Sequence, residues 1–325
     1  MLSELHLIFF LVGLGTLAIA YGLRRSSLGI LAILLIGLGY WSGWNQIYLT
    51  RNLSGLDAIA LQMPIVAAIL FLPLAYWCRS KVLFGLSAIA VCSALLSSLA
   101  EVATKASVLP SLLLMLPVAL LWSYDDTILG QREKLFQPIA RRLAVRYLGG
   151  LFYGFSFYWI WGNHAWYTRI LEWRSLPSVA ILAAIAIGQW VFISIRTRDW
   201  NTVMIGSMIG VSTIVNFWHL RVQPIPVFAA IVFNLMLALL SIVTLRNSLQ
   251  TKERQAFWSG VTLLVLQVLS RSPEYELNLP LVFMLCGIAT IGAGLWFERQ
   301  IRALPINQDF KLVLTQRNRR IHQRS

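Results

Sequence analysis

The chain has 325 residues, of which 58% are hydrophobic and only 12% are charged, whereas a soluble domain has about 45–50% and about 25%. So few charges do not cover a water-soluble fold of this size, and the composition also excludes disordered, collagen-like and disulfide-rich secreted classes. The net charge of +14 would suit a nucleic-acid partner, but the basic residues are spread over many short segments.

Continuous apolar runs bounded by charges predict eleven membrane spans, since about 20 apolar residues in a helix cross the hydrocarbon core of a bilayer. The sixth and tenth runs are short, so ten spans remain an alternative. The runs do not alternate as barrel strands do, and helices are therefore preferred. In chain order the predicted spans are Leu5–Leu23, Leu28–Gln46, Ala58–Trp77, Val82–Ala100, Ser107–Trp122, Tyr147–Trp161, Pro177–Ile195, Thr202–His219, Pro226–Leu245, Gln255–Leu269 and Leu279–Phe297.

The basic residues indicate the orientation of these spans. If the N-terminus lies outside, 21 of the 27 Lys and Arg residues fall in segments that face the cytoplasm, as membrane proteins prefer. We therefore expect an all-α polytopic bundle with the N-terminus outside and the C-terminus inside. The same distribution favours anionic lipid headgroups at the cytoplasmic face, rather than nucleic acid, as the partner of the basic residues.

The spans leave no room for a soluble domain. We expect residues 1–297 to form one transmembrane bundle and residues 298–325 to form a basic cytoplasmic tail. A weak repeat is visible within the bundle, because the Ala-Tyr-Gly-Leu-Arg run ending at Arg24 aligns with the Ala-Tyr-Trp-Cys-Arg run ending at Arg79. Hairpin repeats occur in transporters, but duplication of hairpins also produces purely structural bundles.

Few polar residues fall inside the predicted spans, and no Asp, Glu, Lys or Arg lies near the centre of one. That pattern disfavours a proton-coupled transporter or a voltage sensor. Gln189 and Asn234 are the intramembrane polar residues of most interest. Hydrogen bonds between helices, worth about 0.6–2 kcal/mol, explain most such residues, and a polar path for a substrate is the alternative.

The inner loop after the fifth span contains Asp125 and Asp126. Two carboxylates could bind Mg²⁺, but adjacent acidic residues are more often a solvated helix boundary, and that is our expectation here. The three cysteines have no partners at metal-ligand spacing. We predict no metal site and no cofactor.

Spans two, six and eight share a pattern. Each carries a Gly-x-x-x-Gly spacing and ends, on the predicted outer side, in aromatic residues with an Asn nearby. Small residues four apart let helix backbones approach closely, so we hypothesise a shared outer-face pocket, with an ordinary aromatic belt as the alternative. The candidate pocket residues are Trp44, Asn45, Trp161, Asn163, His164, Asn216, Trp218 and His219.

Catalytic motifs are missing from the sequence. His164 and His219 could act as bases, but no Gly-x-Ser-x-Gly elbow, His-Glu-x-x-His pair or cysteine nucleophile accompanies them. We therefore name no catalytic residue and expect a non-enzymatic protein.

The last hairpin has a recognisable pattern. The run Arg254-Gln255-Ala256-Phe257-Trp258-Ser259-Gly260 leads into a span, which is followed by Glu274-Tyr275, a second span and Glu298-Arg299-Gln300. This hairpin resembles that of a bacterial family of predicted integral membrane proteins, domain of unknown function 2157, and the Ala-Tyr-x-x-Arg turns are also similar to turns in that family. The resemblance implies a multi-pass protein of the bacterial inner (plasma) membrane and no particular activity.

We expect a scaffold or accessory component of a membrane complex, with membrane lipids and another membrane protein as its partners. The alternative is an uncoupled transporter or a lipid-handling protein that uses the outer-face aromatic pocket. An enzyme acting on a lipid-linked substrate is the third interpretation.

Overall fold

The structure, a computed structural model, describes residues 5–47, 62–102, 109–126, 135–162, 176–196, 200–271 and 279–303. Within these ranges every regular element is a helix, and six helices are long and apolar enough to cross a membrane. In chain order the helices are α1 (Leu5–Leu23), α2 (Ser26–Ile47), α3 (Met63–Trp77), α4 (Lys81–Val102), α5 (Leu109–Ser123), α6 (Gln137–Phe155), α7 (Tyr158–Gly162), α8 (Leu176–Arg196), α9 (Trp200–Arg221), α10 (Pro226–Thr251), α11 (Arg254–Arg271) and α12 (Leu279–Ala303).

Each of the eleven predicted spans overlaps a helix of the described ranges, and six of these helices, α1, α2, α8, α9, α10 and α12, are long and apolar enough to cross a membrane. The sixth span differs most, because α6 begins at Gln137 and ends at Phe155, and α7 begins only at Tyr158. A hydrogen bond connects the two helices across this break, because the Trp161 indole N–H donates to the Phe155 carbonyl oxygen at 2.7 Å. The predicted span over Tyr147–Trp161 is therefore interrupted between Phe155 and Tyr158.

The fold divides into two compact units, residues 1–233 and residues 234–325. In the first unit α5 packs against α4, α6, α8 and α9. Its side chains are buried around the whole circumference, including Leu113, Met115, Leu116 and Val118, as expected for a helix that is apolar on every side. α5 is therefore the central helix of this unit.

Helices α1 and α2 pack closely because α2 carries glycine at the contact. A Cβ on Gly39 would lie 3.0 Å from the His6 carbonyl oxygen and 3.1 Å from the Phe10 nitrogen. Both are backbone atoms, which do not rotate aside. Gly39 therefore lets the backbones of α1 and α2 approach closely, and the atoms nearest to its Cβ belong to α1 rather than to the sixth or eighth span.

Three short turns between consecutive helices contain a basic residue in the left-handed conformation. These residues are Arg24 between α1 and α2 (φ 53°), Arg79 between α3 and α4 (φ 47°) and Lys252 between α10 and α11 (φ 57°). At the second turn Ser80 N–H donates to the Ala75 carbonyl and Arg79 N–H to the Tyr76 carbonyl, the bond pattern of a Schellman motif. Arg79 thus occupies the position that usually holds glycine.

The two tyrosines of the repeat have equivalent roles in the structure. Tyr21, at the end of α1, donates its hydroxyl to the Leu70 carbonyl oxygen of α3 at 2.6 Å. Tyr76, at the end of α3, donates to Asp126 Oδ1 at 2.6 Å, in the segment after α5. Each tyrosine therefore connects its own helical hairpin to the hairpin that follows in the chain.

The second unit is built on the closing hairpin. The rings of Phe257 on α11 and Phe297 on α12 stack at 4.0 Å, and both side chains are buried. A Cβ on Gly260 would lie 2.9 Å from Leu245 Cγ, so the small residue lets α11 pack against α10. Arg254 and Glu298 form an exposed ion pair at 3.1 Å, which adds little to stability.

Candidate functional site

An aromatic cluster forms where the outer ends of spans six and eight were predicted. The Trp161 ring lies edge-on to His219 at 4.9 Å and stacks on Phe233 at 5.5 Å. Phe155 contacts both Trp161 and Phe233. His219 Nδ1 accepts the Ile225 N–H at 3.0 Å, so this imidazole nitrogen is used in the turn before α10. The cluster is a packed core rather than an open pocket.

The remaining pocket candidates do not all join this cluster. Asn216 is buried and donates to the Ser212 carbonyl of its own helix at 2.8 Å, whereas Trp218 is exposed. The side chains of Trp44 and Asn45, and all of Asn163 and His164, lie outside the described residues. The structure therefore brings together Trp161 and His219 but does not unite the three tryptophans.

The two intramembrane polar candidates both bind another helix. Ser123 Oγ at the end of α5 donates to Gln189 Oε1 on α8 at 2.9 Å. In the second unit Gln267 Nε2 donates to the Asn234 carbonyl oxygen at 3.0 Å and to Asn234 Oδ1 at 3.3 Å. These contacts agree with the structural interpretation of Gln189 and Asn234, in which interhelical hydrogen bonds satisfy the polar groups.

Asp126 accepts three hydrogen bonds from described residues, although we expected it to be solvated. It is fully buried. Its Oδ1 accepts the Tyr76 hydroxyl, and its Oδ2 accepts the N–H groups of Phe136 at 2.8 Å and Gln137 at 3.0 Å. These N–H groups open α6, where a carboxylate is favoured by the unpaired donors and the helix dipole. Asp126 therefore caps α6 and ties it to α3.

Aromatic rings enclose this carboxylate. Phe136 stacks on Phe84 at 4.7 Å and meets the edge of Tyr76 at 4.8 Å, and the Tyr124 and Tyr76 hydroxyls share a hydrogen bond. Burial, with the charges of Asp126 and Asp125 as smaller causes, raises the pKa of Tyr124 above its ordinary value. The phenol therefore stays neutral at physiological pH. The only sequence signal for this site was an acidic pair beside a tyrosine.

A cavity of about 80 Å³ opens between α2, α3 and α4. Tyr40 and Trp41 of α2, Phe71 of α3, and Ser93 and Ser97 of α4 line it. The two serine hydroxyls donate to carbonyl oxygens of their own helix, so the lining presents rings and methyl groups. Trp41 is 73% exposed and lies at the edge, where the cavity meets the outer surface of the bundle.

The described residues contain no group of three or more His, Cys, Asp or Glu side chains that could hold a metal ion. In the same part of the chain the three cysteines are free thiols.

Comparison of the chain with protein-family models, with characterised proteins and with solved structures finds no match. The interpretation of this protein therefore depends on its own geometry.

Proposed function

We propose that the chain is a multi-pass protein of the bacterial inner membrane, with ten or eleven spans, the N-terminus outside, the C-terminus inside and no soluble domain. The exposed apolar surface supports a location in a membrane, because only 17–39% of each of the six spanning windows in the described ranges is buried in the protein. The resemblance of the closing hairpin to the domain of unknown function 2157 family remains a prediction within this proposal.

Contacts between helix ends also support the alternating topology. Ser123 binds Gln189, the Trp122 indole N–H donates to Thr202 Oγ1 at 3.3 Å, and Tyr76 binds Asp126. The residues of these pairs are predicted for the cytoplasmic side, except Gln189, which is predicted for the cytoplasmic half of the seventh span. Trp161 and His219, which are predicted for the outer side, also meet.

Within that membrane we propose a non-enzymatic role, as a scaffold or accessory component that works with another membrane protein. The observation that carries this proposal is the use of polar side chains in helix-to-helix bonds. Asp126, Gln189, Asn234 and His219 all bind groups within the bundle. A side chain so engaged holds helices in place and is not oriented toward a substrate.

Site-specific photo-crosslinking tests the scaffold role. We would place benzoylphenylalanine at Ile288, which is exposed on α12, and at Phe297, which is buried on the same helix. A scaffold is expected to crosslink one protein from Ile288 in native membranes, and the same product should be missing from the Phe297 control. Crosslinks to lipid alone, at Ile288 and at further exposed positions around the bundle, would contradict the proposal.

The second candidate is a lipid-handling protein, and the cavity between α2, α3 and α4 favours it. Its ring-lined interior and exposed edge at Trp41 suit an acyl chain better than a polar solute. Gly37 lies on the cavity wall, and a Cβ there would meet no atom within 4 Å. Gly37→Leu is therefore expected to fill the cavity without moving the backbone.

The control is Gly15→Leu on α1, where a Cβ also meets no atom within 4 Å. The full-length protein would be purified in mild detergent and its retained lipid measured by mass spectrometry. Loss of lipid from the Gly37 variant but not from the Gly15 variant would support lipid handling. Equal retention by both would leave the scaffold role as the better interpretation.

A further inference from the structure

We propose that the first two cytoplasmic turns together bind the headgroup of an anionic phospholipid. The site, the basic turn pair, contains four cations. They are Arg24 and Arg25 between α1 and α2, and Arg79 and Lys81 at the turn between α3 and α4. The inference rests on the proposed topology, which puts both turns at the level of the cytoplasmic headgroups.

The two turns are held next to each other. A Cβ on Gly29, in the first turn of α2, would lie 2.9 Å from Leu74 Cδ2 and 3.0 Å from Leu83 Cδ1. The hydroxyl of Tyr21 binds the Leu70 carbonyl, and the Tyr21 ring meets the edge of Trp77 at 6.2 Å. The relative positions of the turns are therefore determined by packing and hydrogen bonding.

The four cations of the basic turn pair are exposed, and in the part of the chain that the structure describes none of them forms an ion pair. The Arg24 guanidinium lies 4.9 Å from the centre of the Trp77 ring, a cation–π contact that leaves its hydrogen-bond donors free. Arginine donors match phosphate oxygens geometrically. The charge available at these turns is therefore suited to a phosphate group.

The backbone conformation of the turns does not require a basic side chain. Arg24 and Arg79 adopt φ values of 53° and 47°, where glycine is favoured and a side chain is unfavourable. Glycine would form the Schellman turn at Arg79 at least as well. The turn itself therefore does not require an arginine, and the same holds for Lys252 at the third turn, which makes glycine variants suitable at all three positions.

Apolar side chains beside the cations identify the class of partner. Leu23, Trp77 and Val82 are all exposed next to the turns, and tryptophan prefers the boundary between headgroups and acyl chains. A phospholipid presents a phosphate next to its acyl chains, whereas a soluble anion presents only the charge. Basic pockets between transmembrane helices bind anionic headgroups in this way.

The left-handed turns provide matched variants. Arg79→Gly removes one cation while keeping the turn conformation, and Lys252→Gly does the same at the third turn, where φ is 57°. The full-length protein in detergent would be titrated with phosphatidylglycerol and, separately, with phosphatidylcholine, and the first bound lipid would be measured by native mass spectrometry. Melting temperatures would verify that each variant is folded.

We expect the wild-type protein to bind phosphatidylglycerol more tightly than phosphatidylcholine. Arg79→Gly should weaken the first phosphatidylglycerol about fivefold and Arg24→Gly/Arg79→Gly about thirtyfold, from the usual contribution of one basic residue near anionic headgroups. Lys252→Gly should change it less than twofold. Equal losses in the Arg79 and Lys252 variants, or equal binding of the two lipids by the wild type, would overturn the proposal.

A labelling experiment separates failure of this site from failure of the topology. Ser27 is exposed beside the first turn, so Ser27→Cys would be introduced into a chain whose native cysteines are replaced by alanine. Labelling of this cysteine by an impermeant maleimide from outside intact cells would refute the topology and the site with it. Protection in intact cells, together with unchanged lipid binding by the glycine variants, would refute the site alone.

Discussion

Replacing Asp126 tests the idea that one buried carboxylate joins α3, α6 and the segment after α5. The structure gives it three donors, the Tyr76 hydroxyl at 2.6 Å, Phe136 N–H at 2.8 Å and Gln137 N–H at 3.0 Å. Asp126→Ala leaves the Phe136 and Gln137 N–H groups buried without an acceptor, whereas the Tyr76 hydroxyl can still donate to Tyr124. At about 1–3 kcal/mol for each unsatisfied group, with some relaxation, we expect a loss of about 4 kcal/mol in the free energy of unfolding.

Asp126→Asn is the matched control, because its carbonyl oxygen can still accept the two N–H groups that open α6. Its amide can donate to the Tyr76 hydroxyl, which then donates to Tyr124. We expect a loss of about 1 kcal/mol, since only the charge is removed.

The assay is reversible unfolding of the full-length protein in mixed micelles, with increasing dodecyl sulfate and tryptophan fluorescence as the readout. A double-mutant cycle with Tyr76→Phe, which keeps the ring against Phe136, isolates the hydroxyl–carboxylate bond. If Asp126→Ala and Asp126→Asn lie within about 1 kcal/mol of each other, the three bonds do not carry the stability that we assign to them.

Three further predictions concern single side chains. Gly39→Ala should destabilise the protein by about 1–3 kcal/mol because the added Cβ meets backbone atoms of α1. The control is Gly37→Ala, where the Cβ meets no atom within 4 Å, and this variant should be neutral or stabilising by up to about 1 kcal/mol. Similar unfolding curves for the two variants would refute the close packing of α1 and α2. Gln267→Leu should cost about 0.6–2 kcal/mol because Asn234 loses its interhelical partner, and the same unfolding assay measures it. Because the pKa of Tyr124 is raised in the folded protein, the unfolded chain loses this proton first as pH rises, and the free energy of unfolding should fall above about pH 10. The difference in this free energy between wild type and Tyr124→Phe should be constant to about pH 9 and shrink above about pH 10. A constant difference at all pH values would contradict the burial of Tyr124.

The existence of the helices could be predicted from the sequence, because a run of about 20 apolar residues has few alternatives to a membrane helix. The break between α6 and α7 could not, since Ser156 and Phe157 are not helix breakers. That break depends on the Trp161 indole N–H, which binds the last carbonyl of α6, and this is a contact between neighbouring elements rather than a local preference.

The candidate site was predictable only in part, for reasons visible at particular residues. Trp161 and His219 meet because they lie at the same ends of their helices, which the alternation of spans predicts. Trp218 precedes His219 but is exposed, because successive residues on a helix differ by about 100° in direction. The burial of Asp126 could not be predicted, because its partners Tyr76 and Phe136 are separated from it by 50 and 10 residues.

The hydroxyl bonds of Tyr21 and Tyr76 both reach forward along the chain, from one hairpin to a segment that the ribosome makes later. When the next hairpin leaves the translocon, the tyrosine hydroxyl of the hairpin already in the membrane is available to donate a hydrogen bond to it. For the first three hairpins this directionality allows docking in the order of synthesis, before the C-terminal half of the chain has been made.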